Sequence, residues 1–100
     1  MLELDPYKSD IVKICNSLRV KRLDLFGSAT GKNFRADSDI DIVVEFERYE
    51  HGNLFNRYFE LKERLQNLFG REIDIVVEKA IKNPHFKESV EKTRTPIFAA

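Results

Sequence analysis

Residues 38–46 run Ser38-Asp39-Ile40-Asp41-Ile42-Val43-Val44-Glu45-Phe46. Apolar and acidic side chains alternate at the start of this run with the period of a β-strand, so Ile40 and Ile42 face one way and Asp39 and Asp41 the other. A strand with a core face and an acidic face is predicted. Further along, Glu72-Ile73-Asp74-Ile75-Val76-Val77 repeats the pattern, and Ile-Asp-Ile-Val-Val occurs at both 40–44 and 73–77. Between the two copies, Leu54, Phe55, Tyr58, Phe59, Leu61, Leu65, Leu68 and Phe69 fall at helical spacing, and Gly70 supplies a C-terminal cap.

Working outward, Ile11, Val12, Cys15 and Leu18 predict a leading helix with Ser9 as N-cap. The stretch Arg22-Leu23-Asp24-Leu25-Phe26-Gly27 alternates at Leu23 and Leu25 and stops at glycine, which predicts a short strand. Residues 29–37 and 47–53 read as loops, the first with room for one helical turn. A short helix near Glu78–Lys82, another after Pro84 and a last short strand over Thr95–Phe98 complete the order. Strands interleaved with helices point to an α/β fold: a small mixed β-sheet with helices packed mainly on one face.

Composition narrows the function classes. One hundred residues are expected to form a single domain, 1–100. Seventeen basic and 17 acidic residues cancel, which argues against holding nucleic acid by bulk charge, so no direct nucleic-acid binding is expected. The single cysteine excludes an internal disulfide framework and a cysteine-rich zinc site. No segment approaches the roughly 18 apolar residues of a membrane span. The opening residues, Met1-Leu2-Glu3-Leu4-Asp5-Pro6, carry acids and no apolar run. A soluble, cytoplasmic protein without membrane contact is the expectation.

Candidate chemistry lies in three strand aspartates. Asp39 and Asp41, two apart on a strand, project from the same face about 7 Å apart. Carboxylates that close repel unless a cation lies between them, and an oxygen-only set suits Mg²⁺ or Mn²⁺ rather than zinc. Alone, an Asp-x-Asp on a strand is most simply a solvated face. Asp74, in the second copy of the pattern, shifts that balance: if its strand lies beside the first, a third carboxylate reaches the same cations. Gly27-Ser28, at the end of the first strand, permits a sharp turn with close backbone approach. A helix starting just after it would offer amide groups to phosphates, and Lys32 and Arg35 follow in the loop.

Taken together, Leu25-Phe26-Gly27-Ser28, a ten-residue spacer, Asp39-Ile40-Asp41 and the later Asp74 resemble the minimal nucleotidyltransferases of the polymerase β-like superfamily. The resemblance covers most of the chain. It implies the polymerase β-like nucleotidyltransferase fold, with Gly27 and Ser28 holding the β- and γ-phosphates of ATP. It further implies two Mg²⁺ ions bound by Asp39 and Asp41, and Asp74 completing one metal site and helping to activate the attacking hydroxyl. Members often continue Gly-Ser-x-Ala-Arg-Gly, whereas this chain reads Gly27-Ser28-Ala29-Thr30-Gly31-Lys32, so Lys32 is the nearest stand-in for the usual arginine. Larger members carry an extra helical domain for base and acceptor, for which this length leaves no room. Minimal ones are typically paired with a HEPN-domain ribonuclease toxin, and some act as antitoxins that transfer AMP to a tyrosine of that partner. A hetero-oligomer with a HEPN toxin is the implied assembly. Two rival functions are an antitoxin that neutralises its partner by binding alone and a nucleotidyltransferase acting on a small molecule.

The remaining reactive residues read as structural. Cys15 shares the apolar helix face with Ile11 and belongs to the core. His51 and His85 stand in polar surroundings and read as surface residues. The aromatic row Phe55, Tyr58, Phe59 and Phe69 reads as core packing, although eight phenylalanines are enough to leave some for a partner.

Overall fold

The structure is a computed structural model that describes residues 2–31, 34–35, 38–48 and 53–100. A helical turn at Asp5–Tyr7 leads into α1 (Lys8–Ser17), followed by β1 (Val20–Phe26), a second turn at Gly27–Thr30 and β2 (Ile40–Phe46). Then come α2 (Leu54–Phe69), β3 (Ile73–Val77), a turn at Glu78–Ala80, α3 (Pro84–Thr93) and β4 (Thr95–Ala99). Ser9 is not the N-cap of α1. Pro6 fixes a helical φ in the preceding turn, which runs straight into the helix and leaves Ser9 inside its first turn.

The caps of the other two helices are asparagines. Asn53 Oδ1 accepts from the amides of Phe55 (2.9 Å) and Asn56 (3.3 Å) at the start of α2. Asn83 Oδ1 does the same for His85 and Phe86 at the start of α3. Gly70 ends α2 in the left-handed region at φ 65°, as its position predicts, and its amide donates to the Gln66 carbonyl.

The four strands form one mixed sheet in the order β3-β2-β1-β4. β1 runs antiparallel to both β2 and β4, whereas β2 and β3, joined through α2, are parallel. The two Ile-Asp-Ile-Val-Val copies lie side by side in exact step, Ile40 opposite Ile73, Asp41 opposite Asp74 and Ile42 opposite Ile75.

Alternation then sorts the side chains. On one face Leu23, Leu25, Ile40, Ile42, Val44, Ile73 and Ile75 meet Ile11, Cys15 and Leu18 from the α1 segment and Leu61 and Leu65 from α2. Each large aliphatic side chain fully buried here contributes on the order of 1.5–3 kcal/mol of hydrophobic stabilisation, so this face carries most of the driving force. Cys15 is part of that core, and burial pushes its thiol up to about 12. Tyr58 and Phe69 pack against the same core, but Phe55 and Phe59 point outward from α2 at 68% and 50% exposure. The aromatic row is thus divided between core and surface.

The reverse face has a smaller apolar cluster, Phe26, Val43 and Val90, under α3, with Phe86 edge-on to Phe26 at 6.0 Å. The helices do lie mainly on one face, and the sparsely covered reverse face is where polar groups collect. Asp24, fully buried on β1, accepts at Oδ2 from Arg22 Nε (2.9 Å) and from Arg94 Nε, the residue that follows α3. Arg94 Nη1 also reaches Glu78 (2.6 Å) and Glu91 (2.8 Å). Among the described residues Asp24 Oδ1 has no hydrogen-bond partner.

Candidate active site

The sheet brings three of the sequence-predicted residues together on its reverse face. Asp41 and Asp74 are direct neighbours across the parallel β2/β3 ladder, and Phe26, the last residue of β1, pairs with Asp41 from the other side. Gly27 therefore begins its turn over the Asp41 carboxylate. Its φ is +71°, and a Cβ built on it would lie 2.8 Å from Asp41 Oδ2. Glycine is required here twice, by the left-handed backbone and by the close approach. Replacing it with alanine is expected to push the Asp41 carboxylate out of place and to cost about 1–2 kcal/mol of stability from the left-handed conformation alone, measurable as a lower urea midpoint.

Asp39 lies in the two residues that lead into β2 and is exposed, not on the strand itself. The loop before it is tied to the turn between α2 and β3: Arg71 Nη1 donates to the carbonyls of Arg35 (2.8 Å) and Ser38 (3.3 Å), and its guanidinium stacks on Phe34 at 4.4 Å. The Ile40 amide donates to the Glu72 carbonyl. Asp39 thus enters the site from a braced loop end.

Electrostatics mark Asp41 as the centre of the trio. Its carboxyl is pushed above the usual aspartate value by partial burial first, then by the charges of Asp74 and Asp39 and by a side-chain hydrogen bond with Asp74. None of the ion pairs among the described residues involves Asp39, Asp41 or Asp74. The donor atoms of these three residues are all carboxylate oxygens, the type that Mg²⁺ or Mn²⁺ takes in preference to zinc. Among the described residues no three ligating side chains close into a cage of their own.

A single helical turn of four residues, Gly27–Thr30, opens the segment read as a loop with room for one turn, so no longer helix starts at Gly27-Ser28. The Gly27 amide donates to Thr93 Oγ1 at 2.8 Å, and the Gly27 carbonyl accepts from Thr30 Oγ1 at 2.7 Å. Ser28 is exposed and Ala29 fully buried. Lys32 lies outside the described residues, as does His51, and His85 is exposed as its surroundings predict. Sequence reasoning missed Thr93, which has no motif to announce it. It also missed Asp24, although Leu23-Asp24-Leu25 alternates like the other aspartates.

A glycine–serine turn closing over paired carboxylates on a mixed sheet defines a class of phosphoryl-transfer protein. Residues 8–97 match the family model described as the nucleotidyltransferase domain, and the chain belongs to that family. Within it, the chain is similar to the protein adenylyltransferase MntA of Thermococcus cleftensis, with 33% identity over 87 residues, 83% of this chain and 85% of that one. A Methanocaldococcus jannaschii protein named provisionally as a protein adenylyltransferase is 39% identical over 74 residues, 74% of this chain and 73% of that one. Among solved structures, one described provisionally as a minimal nucleotidyltransferase superposes with a TM-score of 0.75 at 30% identity, covering 93% of this chain and 91% of that one. The fold is also that of a chain in the complex of a tri-AMPylated Shewanella oneidensis HEPN toxin with MNT antitoxin, at a TM-score of 0.66 and 17% identity, covering 98% of this chain and 74% of that one. Among the described residues no helix is long and apolar enough to cross a membrane.

Proposed function

We propose that this nucleotidyltransferase moves AMP from ATP to a hydroxyl of a partner protein, a tyrosine of a HEPN-type toxin, and thereby acts as its antitoxin. The observation that carries this reading is the placement of Asp74 beside Asp41 under the Gly27 turn. The names of the relatives support the class of acceptor, and the toxin complexes of the same fold support the partner.

In this reading Asp39, Asp41 and Asp74 would hold two Mg²⁺ ions, Gly27 would shape the phosphate-facing turn, and Ser28 and Lys32 would meet the triphosphate. Bound there, divalent cations would supply charge neutralisation for an in-line displacement. The acceptor oxygen bonds to the α-phosphorus, the bond to the β-phosphate breaks, and pyrophosphate leaves. Exposed Asp74 meets the incoming hydroxyl and helps to take its proton. Asp41, pinned between Gly27 and Asp74, supplies the rigid centre that keeps the groups in line. The zero net charge fits a protein acceptor better than a nucleic acid.

The direct test is to incubate the chain with ATP, Mg²⁺ and a co-expressed HEPN partner. Intact-mass spectrometry should show the partner gaining about 329 Da per transferred AMP. Neutralisation without added mass, retained by an Asp39→Asn/Asp41→Asn variant, would replace the enzyme with a binding antitoxin. Transfer to a small molecule without any partner would replace the acceptor.

A further inference from the structure

The C-terminal end of α3 reaches across the reverse face and touches the Gly27-Ser28 turn through one side chain. Thr93 is the last residue of α3, and its Oγ1 accepts the Gly27 amide at 2.8 Å across 66 residues of sequence. That amide belongs to the residue whose backbone lies against Asp41. Thr93 is itself fixed: its carbonyl accepts from Thr95 Oγ1 at 3.0 Å, and the adjoining Arg94 is tied to buried Asp24 on β1. The turn is therefore held at its N–H by Thr93, at its C=O by Thr30, and below by the Asp41 carboxylate.

We propose that Thr93 is a positioning residue for nucleotide binding, resting on the nucleotidyltransferase reading above. Its hydroxyl consumes the Gly27 amide, which a phosphate then does not contact. In doing so it fixes the plane of the Phe26–Gly27 peptide, from which the turn departs, and with the Thr30 bond to the Gly27 carbonyl it sets where the exposed Ser28 hydroxyl faces the triphosphate. Without it, the left-handed Gly27 keeps two anchors but gains freedom to rotate about its N–Cα bond, because glycine has no side chain to restrict it. The loss falls on holding the phosphates more than on the metal carboxylates, which belong to β2, β3 and the loop before β2.

The test compares the native chain with Thr93→Val, which keeps the shape without the hydroxyl, and Thr93→Ser, which keeps the hydroxyl. Three readouts are taken: Mg·AMP-PNP affinity by calorimetry, KM and kcat for ATP in the partner assay, and exchange of the Gly27 amide by NMR. Thr93→Val should weaken AMP-PNP binding and raise the KM for ATP by about tenfold, the scale of one hydrogen bond. It should change kcat by less than about threefold and speed Gly27 amide exchange. Thr93→Ser should restore native values of all three. Unchanged AMP-PNP affinity in a folded Thr93→Val, or equal losses in both variants, would overturn the positioning role. If Thr93→Val does not fold, a Gly27 amide that exchanges as fast in the native chain as an unbonded glycine overturns it instead. A native chain that binds no AMP-PNP would refute the nucleotidyltransferase reading itself, a result separate from normal native binding with an indifferent Thr93→Val.

Discussion

Asp41→Asn is expected to reduce AMP transfer by at least about a thousandfold, the size of the transition-state charge stabilisation a divalent cation supplies. The substitution is nearly isosteric, so the Gly27 contact survives in shape while the ligand charge is lost. It also removes one of three crowded like charges, since Asp74 and Asp39 both oppose ionisation of this carboxyl. The unfolding temperature at neutral pH should therefore hold or rise as activity collapses. Calorimetric scanning alongside the partner-mass assay separates the two effects. A variant with more than about a tenth of native transfer would overturn the proposed metal-binding role of Asp41.

Arg94→Met is expected to lower unfolding free energy by about 3–5 kcal/mol, the range seen when one partner of a buried ion pair is removed. Asp24 is fully buried and would keep only Arg22, whose own side chain is 43% exposed. That loss is a large share of the 5–15 kcal/mol typical of a domain, so a urea titration should show a much lower midpoint. Adding Asp24→Leu to Arg94→Met should recover part of the loss, because the cost lies in the stranded carboxylate more than in the missing guanidinium. A pH series checks the same network. The hydrogen bond from Arg94 holds the Glu78 carboxyl below its ordinary 4.5. A lowered carboxyl stabilises the fold above its unfolded value and loses that contribution as pH falls through the folded one. The native chain should lose this share of stability in acid below about 4.5, and Arg94→Met, which keeps only the weaker pull of Arg22 and Glu45 on Glu78, should lose less of it.

The strands and the long helix were legible because their signals are local. Period-two alternation marks β2 and β3, and the apolar stripe ending at Gly70 marks α2. The sequence also announces the acidic faces of Asp41 and Asp74. It does not announce that the two strands are neighbours in exact step, since ladder register depends on α2 packing both strands from below. Asp39 reads as a strand residue because the alternation begins there, yet the loop braced by Arg71 delays the ladder until Ile40. Asp24 escaped because its partner Arg94 lies 70 positions away and carries no pattern of its own. Thr93 escaped for the same reason: a single hydroxyl meeting a single amide across the molecule leaves no periodic trace. The asparagine caps, in contrast, were visible in principle, since Asn53 and Asn83 each stand directly before a helical run.

Asp74 rides on β3, one of the two edge strands of the sheet. Beyond it, among the described residues, no further strand continues the ladder, so the acidic pair stands at a rim with backbone on one side and solvent on the other. A ligand arriving from that side is not limited by the width of a cleft, and a side chain borne on a folded surface can reach the carboxylates without unfolding or threading. Had the same pair occupied the two central strands, only something slender enough to slip between α3 and the sheet could have come as close.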